Sequence, residues 1–189
     1  MRRTLTIALA LLSSFVAMGQ SPTVAPKVGQ RAPNFSLSTP TGKSVNLASL
    51  VKMGPVALIV LRGYPGYQCP YCVRQVHEFV ESADAFAAAG AQVLLIYPGP
   101  PANLDQHAKE FLAKQNPLPR NVTLVIDPNY TFTNQYRLRW DAPNETAYPA
   151  TFLIDRKGVI IYRKVSYEHG DRTTASSVLR QLRNAQGMH

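Results

Sequence analysis

Two kinds of apolar pattern alternate along the chain. Pro55 to Leu61 (PVALIVL) and Ala91 to Tyr97 (AQVLLIY) are continuous runs rich in β-branched and aliphatic residues, the composition of strands covered on both faces of a mostly parallel sheet. Between them Val73, Val76, Phe79, Val80, Ala83, Phe86 and Ala87 recur at three- and four-residue steps as far as Gly90, which predicts one amphipathic helix that stops at the glycine. Residues 103–115 predict a second helix, capped by Asn103 or Asp105 and ended ahead of Pro117. Val122 to Ile126 reads as a third strand and Tyr130 to Arg137 as a short helix. Ala150 to Ile154 and Val159 to Lys164 predict an antiparallel hairpin over Asp155-Arg-Lys-Gly158, and a last helix follows over residues 171–184. Upstream, Phe35-Ser-Leu-Ser and Ser44-Val-Asn-Leu47 predict a hairpin turned at Pro40 and Gly42. Strands alternating with helices and closing on a hairpin imply an α/β fold, a central mixed sheet with helices on both faces.

The first nineteen residues break this pattern. Arg2 and Arg3 precede an apolar run from Leu5 to Val16, and Ala17-Met18-Gly19 offers small residues where a signal peptidase reads. Residues 1–19 are therefore expected to be an export signal cleaved before Gln20, leaving a periplasmic or secreted protein with no stable membrane insertion. Residues 20–33, rich in proline and polar residues, read as a tether, and 34–189 as one domain. Beyond the signal there are 18 basic and 11 acidic residues, a net +7. No run of five or more basic residues occurs, nor a basic stretch interleaved with aromatics, so the charge points to a mildly basic surface and not to nucleic acid.

Chemistry enters with the cysteines. The chain holds two, Cys69 and Cys72, and both lie in Cys-Pro-Tyr-Cys. A bridge between them closes a tiny loop that stabilises little by chain entropy, and two thiols cannot make the four-ligand site of a structural metal. A redox pair is the better reading, with no metal or other cofactor. The motif follows a buried strand and opens a helix, so Cys69 is expected to face free N–H groups and the positive end of the helix dipole. Pro70 suits the first helical position, whose N–H has no intrahelical partner. Arg62 and Arg74 are near in sequence and are expected to lower the thiol pKa. Cys72, one turn on, can attack a mixed disulfide at Cys69.

Around the motif, Tyr67 and Tyr71, with Tyr64, are expected to rim a substrate site. Pro149 directly precedes a core strand, where a cis bond would leave the backbone of Ala147 and Tyr148 free to pair with an extended substrate. Trp140, in the loop ahead of Pro149, is expected to shape that region. His77, His107, His169, Glu145 and Glu168 show no partner pattern in the sequence and are assigned no role.

The stretch Gly63 to Glu78, the hairpin Tyr148 to Tyr162 and the opening Ala32-Pro-Asn-Phe-Ser-Leu37 resemble the redoxin branch of the thioredoxin superfamily, including the alkyl hydroperoxide reductase/thiol-specific antioxidant (AhpC/TSA) family. The resemblance spans nearly all of 28–185, and the tetrad is similar to that of glutaredoxins. It implies a thioredoxin-like fold and thiol redox activity, antioxidant or disulfide-exchanging, with a peroxide or a protein disulfide as substrate and a separate thiol as electron donor. Two alignments remain. A thioredoxin-like one makes Cys69 the nucleophile and keeps Pro149 at the site. A peroxiredoxin-like one sets Pro65-Gly-Tyr-Gln-Cys69-Pro-Tyr-Cys72 against Pro-x-x-x-Thr/Ser-x-x-Cys, makes Cys72 the peroxidatic thiol and Cys69 the resolving one, and finds Tyr130 where the family's arginine is expected after Asp127-Pro128. Thiol-disulfide exchange is the expected activity, with peroxide reduction as the alternative. A binding module with a static disulfide is the third reading.

Overall fold

The computed structural model describes residues 24–187, so the expected export signal and the first part of the tether lie outside the described residues. Seven strands form one sheet in the order β2-β1-β5-β4-β3-β6-β7. They are β1 (Ser36–Ser38), β2 (Ser44–Asn46), β3 (Val56–Val60), β4 (Gln92–Gly99), β5 (Val122–Pro128), β6 (Ala150–Ile154) and β7 (Ile160–Val165). The β3–β4 and β4–β5 pairs are parallel, while β1–β2, β1–β5, β3–β6 and β6–β7 are antiparallel. The mixed sheet expected from the sequence is therefore present.

Side chains alternate across a strand, so the unbroken apolar runs feed two cores. Ala57, Ile59 and Leu61, with Val93, Leu95 and Tyr97, pack under α2 (Pro70–Glu81), α3 (Ala83–Ala88), α4 (Leu104–Leu112) and α6 (Ala175–Ala185). Val56, Leu58 and Val60, with Leu94 and Ile96, pack under α1 (Leu47–Met53) and α5 (Thr131–Gln135). Each large apolar side chain removed from water this way contributes roughly 1.5–3 kcal/mol before conformational entropy is set against it. Both cysteines belong to the first core.

The last helix starts at Ala175, capped by Thr174, four residues later than expected, and three regions differ more deeply from the sequence reading. The helix after the cysteines is two helices: Ser82 bends the chain, accepting i→i+3 and i→i+4 bonds from Ala85 and Phe86, and Asn121 Nδ2 takes the carbonyl of Ala83 at 2.8 Å. An outside donor in the helical ladder is a recognised cause of such a kink. Helix α1 replaces the end of the second hairpin strand: Asn46 caps it by accepting from the Ser49 N–H at 3.1 Å, and Leu47 and Val51, one turn apart, are buried together. The second half of the tether is part of the domain, since Gly29 donates to Ile160 O at 2.8 Å, Ala32 donates to Gly158 O at 2.9 Å, and Ala25 and Ala32 are buried.

Candidate active site

The loop from Leu61 to Gln68 leaves β3 and crosses the end of β4. Tyr64 N–H donates to Pro98 O at 2.9 Å. Gly63 sits at φ +67°, where a Cβ would come within 1.8 Å of Pro98 O, so only glycine permits this close crossing. The residue ahead of the motif is tied to α4: Gln68 Nε2 donates to His107 O at 2.9 Å, and Tyr97 OH donates to Gln68 Oε1 at 2.7 Å. The Tyr64 and His107 rings stack 3.6 Å apart. Cys69 is thereby fixed as the N-cap of α2 with Pro70 in the first turn, as the sequence implied.

The two thiols are free and differ in environment. Cys69 is 1% exposed and Cys72 is fully buried. The Cys69 thiol is brought down to about 5, above all by the Cys72 thiol donating to its sulfur; the Cys72 N–H, Arg172 and Arg62 add to this, and burial opposes it. Burial pushes the Cys72 thiol well up, and the neighbouring Cys69 sulfur adds to the effect. Arg62 N–H donates to Cys72 Sγ at 3.3 Å. The pair thus holds a thiolate at Cys69 beside a protonated thiol at Cys72.

Two guanidinium groups frame the pair. Arg62, 3% exposed, donates Nε to Glu145 Oε2 at 2.6 Å and Nη2 to Glu145 Oε1 at 2.9 Å. It also donates Nη2 to Asn144 O at 2.5 Å and Nη1 to the Tyr67 hydroxyl. Burial disfavours its charge, but Glu145 and Tyr67 outweigh that and hold Arg62 above its ordinary value. Thr146 Oγ1 donates to Arg62 O, closing the segment 144–146 over β3. Arg172 donates Nε to His169 O at 2.8 Å and Nη1 to Gln75 Oε1 at 2.9 Å, and its Nη2 lies 4.0 Å from Cys69 Sγ. His169 Nε2 meets Glu145 Oε1 at 2.9 Å, so one carboxylate joins both arms.

Several sequence expectations are corrected by this arrangement. The Arg74 guanidinium lies 5.2 Å over the Tyr71 ring, and the guanidinium placed against the Cys69 sulfur is that of Arg172, at 4.0 Å. The Tyr148–Pro149 bond is not cis, and the backbone there is not free. Tyr148 N–H donates to Leu138 O at 2.8 Å, and Ala147 bridges Arg139, so no edge remains for an extended substrate. Pro149 instead borders Gln75 and Arg172. The Tyr148 ring stacks on Trp140 at 4.8 Å and meets Tyr167 edge-on at 5.1 Å. Tyr67 and Tyr71 are exposed, as a rim requires. Tyr130 packs under Arg139, 4.1 Å from its guanidinium, and the cations that act on Cys69 are Arg172 and Arg62. Sequence reasoning missed Arg172, Glu145 and His169, which no local spacing connects to the cysteines, and Gln75, which lies three residues past Cys72 on the buried face of α2. Among the described residues no group of three or more potential metal ligands occurs.

The AhpC/TSA family model matches residues 28–163. Over 138 residues the chain is 33% identical to the chloroplastic peroxiredoxin Q of Triticum aestivum, covering 71% of this chain and 57% of that one. It thus spans little more than half the length of that relative. Its fold is similar to that of peroxidoxin BcpB from Mycobacterium tuberculosis, with a TM-score of 0.65 and 23% identity over 84% of this chain and 97% of the other. It also matches the reduced 2-Cys peroxiredoxin of Plasmodium vivax, with a TM-score of 0.68 and 20% identity over 86% and 83% of the chains. The fold is thioredoxin-like, and the chain belongs to the AhpC/TSA family.

Proposed function

We propose that the protein is a thiol peroxidase in which Cys69 attacks the peroxide and Cys72 resolves the product. The observation that carries this reading is a thiolate that is charged yet 1% exposed. A hydroperoxide is small enough to reach such a sulfur, whereas a protein disulfide must align three sulfurs across a bulky interface. The engaged backbone at Ala147 and Tyr148 argues the same way. The Cys69 thiolate attacks the terminal peroxide oxygen, forming an S–O bond and breaking O–O, and the departing alkoxide or hydroxide takes a proton from the medium. Arg172, with donors left over from His169 and Gln75, stabilises the charge moving onto that oxygen. The Cys72 thiol then attacks the sulfenic sulfur, water leaves, and the Cys69–Cys72 disulfide forms. An external thiol must reduce it.

This assigns the attack to Cys69, as the thioredoxin-like alignment has it, and the chemistry to peroxide, as family membership supports. Periplasmic or secreted placement belongs to the proposal on the strength of residues 1–19 alone. The test is stopped-flow oxidation of the reduced protein by one equivalent of hydrogen peroxide, beside an insulin-reduction assay. Disulfide formation within seconds with insulin left intact is expected. Insulin reduction by a protein indifferent to peroxide would return the account to disulfide exchange.

A further inference from the structure

Between α2 and the loop that leads into α6 lies a cleft of about 200 Å³ bordered by Tyr71, Arg74, Gln75, Glu78, Arg172 and Thr174. Its charges are unusual for a surface depression. Arg172 donates to a carbonyl and an amide oxygen and meets no carboxylate among the described residues. Among the described residues Arg74 has only the Tyr71 ring as its partner. Of the nearby acids, Asp171 is taken by Lys164 and Ser166, and Glu145 by Arg62 and His169. Glu78 lines the same cleft and also makes no ion pair among the described residues. The cleft therefore offers two guanidinium groups, Arg74 from α2 and Arg172 from the facing loop, with the Glu78 carboxylate one helical turn beyond Arg74. Arg172 reaches from it to the reactive sulfur, its Nη2 4.0 Å from Cys69 Sγ.

Guanidinium groups recognise carboxylates through paired N–H donors, and a carboxylate recognises an ammonium. We propose that this cleft seats a low-molecular-mass aminothiol acid, a thiol carrying both a carboxylate and an ammonium group, and that such a molecule is the reductant of the Cys69–Cys72 disulfide. The proposal rests on the redox role assigned above and names its electron donor. A peroxide small enough to reach Cys69 needs no such cleft; a thiol that must approach the disulfide in line gains from being held at both of its charged ends. The thiolate of the first donor attacks Cys69 Sγ, forming a mixed disulfide and releasing Cys72, which takes up a proton beside the Arg62 N–H. A second donor thiolate attacks the sulfur of the bound one and releases Cys69 as its low-pKa thiolate, a good leaving group. The balance is one protein disulfide and two thiols giving one protein dithiol and one small disulfide.

The test uses full-length protein oxidised with diamide, so that its outcome does not depend on peroxide chemistry. Reduction is followed with four small thiols compared per thiolate: cysteine, 3-mercaptopropionate, which lacks the ammonium, cysteamine, which lacks the carboxylate, and 2-mercaptoethanol, which lacks both. Cysteine is expected to be roughly tenfold faster than 2-mercaptoethanol, as a charge-assisted pair would give, with 3-mercaptopropionate ahead of cysteamine. In Arg74→Ala the ratio of cysteine to 2-mercaptoethanol is expected to collapse towards one, and in Glu78→Gln the advantage of cysteine over 3-mercaptopropionate is expected to disappear. Equal rates for all four thiols, or the same ratios in wild type and Arg74→Ala, would overturn the proposal. A parallel arm measures oxidation of the reduced proteins by a carboxylate-bearing and a neutral hydroperoxide. If Arg74→Ala alters only that arm, the cleft binds the oxidant and the reductant assignment is wrong.

Discussion

Replacing Glu145 by Gln keeps the shape of the side chain and removes its charge. Arg62 would then remain buried, 3% exposed, with a neutral partner in place of the carboxylate that now meets Nε at 2.6 Å and Nη2 at 2.9 Å. Breaking a buried pair from one side typically costs 3–5 kcal/mol. Arg62 keeps Asn144 O and the Tyr67 hydroxyl, so the loss is expected at the low end, about 3 kcal/mol. With a denaturant slope of roughly 1.5–3 kcal/mol/M in urea, that moves the unfolding midpoint down by about 1–2 M. The double substitution Arg62→Met with Glu145→Leu removes both charges and is expected to be more stable than Glu145→Gln alone, because no uncompensated charge stays inside. Urea unfolding under reducing conditions, followed by circular dichroism, reads both. A Glu145→Gln midpoint within about 0.3 M of wild type would mean that the pair is solvated and that the reasoning fails.

Three further outcomes follow from the same geometry. Thiolate absorbance at 240 nm is expected to report one ionisation with a midpoint of about 5. Because the thiolate is the attacking form and its pKa is depressed, the peroxide rate should be level at neutral pH and fall as pH drops through that value; a midpoint near the ordinary thiol range would contradict the assignment. Arg172→Met removes a cation acting on Cys69 and the donor proposed for the developing oxyanion. The second-order rate constant with hydrogen peroxide is expected to fall by roughly 100-fold, with the Cys69 midpoint raised, and a change under threefold would refute the role. Asp127, fully buried, accepts from Phe132 N–H and Thr133 N–H at 2.9 Å each and from Thr133 Oγ1 at 2.5 Å. Asp127→Ala orphans these donors and is expected to cost about 3 kcal/mol in unfolding free energy, measured by the same urea titration.

What the sequence made legible was whatever is local. The buried strands β3 and β4 appear as unbroken apolar runs, and Cys69 and Pro70 announce a helix start by spacing alone. The helical periodicity implies the stop at Gly90, whereas the kink at Ser82 has no local signal, because its cause is Asn121, 38 residues away from Ala83. The site divides in the same way. The thiols could be read directly, whereas Arg172 approaches Cys69 from 103 residues further on. Glu145 and His169, lone side chains in sequence, gain meaning only when the loops after α5 and β7 converge on Arg62. Proximity in sequence also misled: Arg74 is five residues from Cys69, but its guanidinium extends over Tyr71 into the cleft. The expectation at Pro149 failed for a topological reason, since the strand-like segment 138–140 occupies the backbone that an extended substrate would need.

The central claim, a peroxide-reactive thiolate at Cys69 resolved by Cys72, is tested most directly by trapping the sulfenic acid. Reduced Cys72→Ser and Cys69→Ser proteins are mixed briefly with hydrogen peroxide in the presence of dimedone and analysed by mass spectrometry. The account predicts rapid dimedone labelling of Cys69 in Cys72→Ser and slow or no labelling of Cys72 in Cys69→Ser. Rapid labelling of Cys72 with none at Cys69, or no labelling of either thiol, would contradict it.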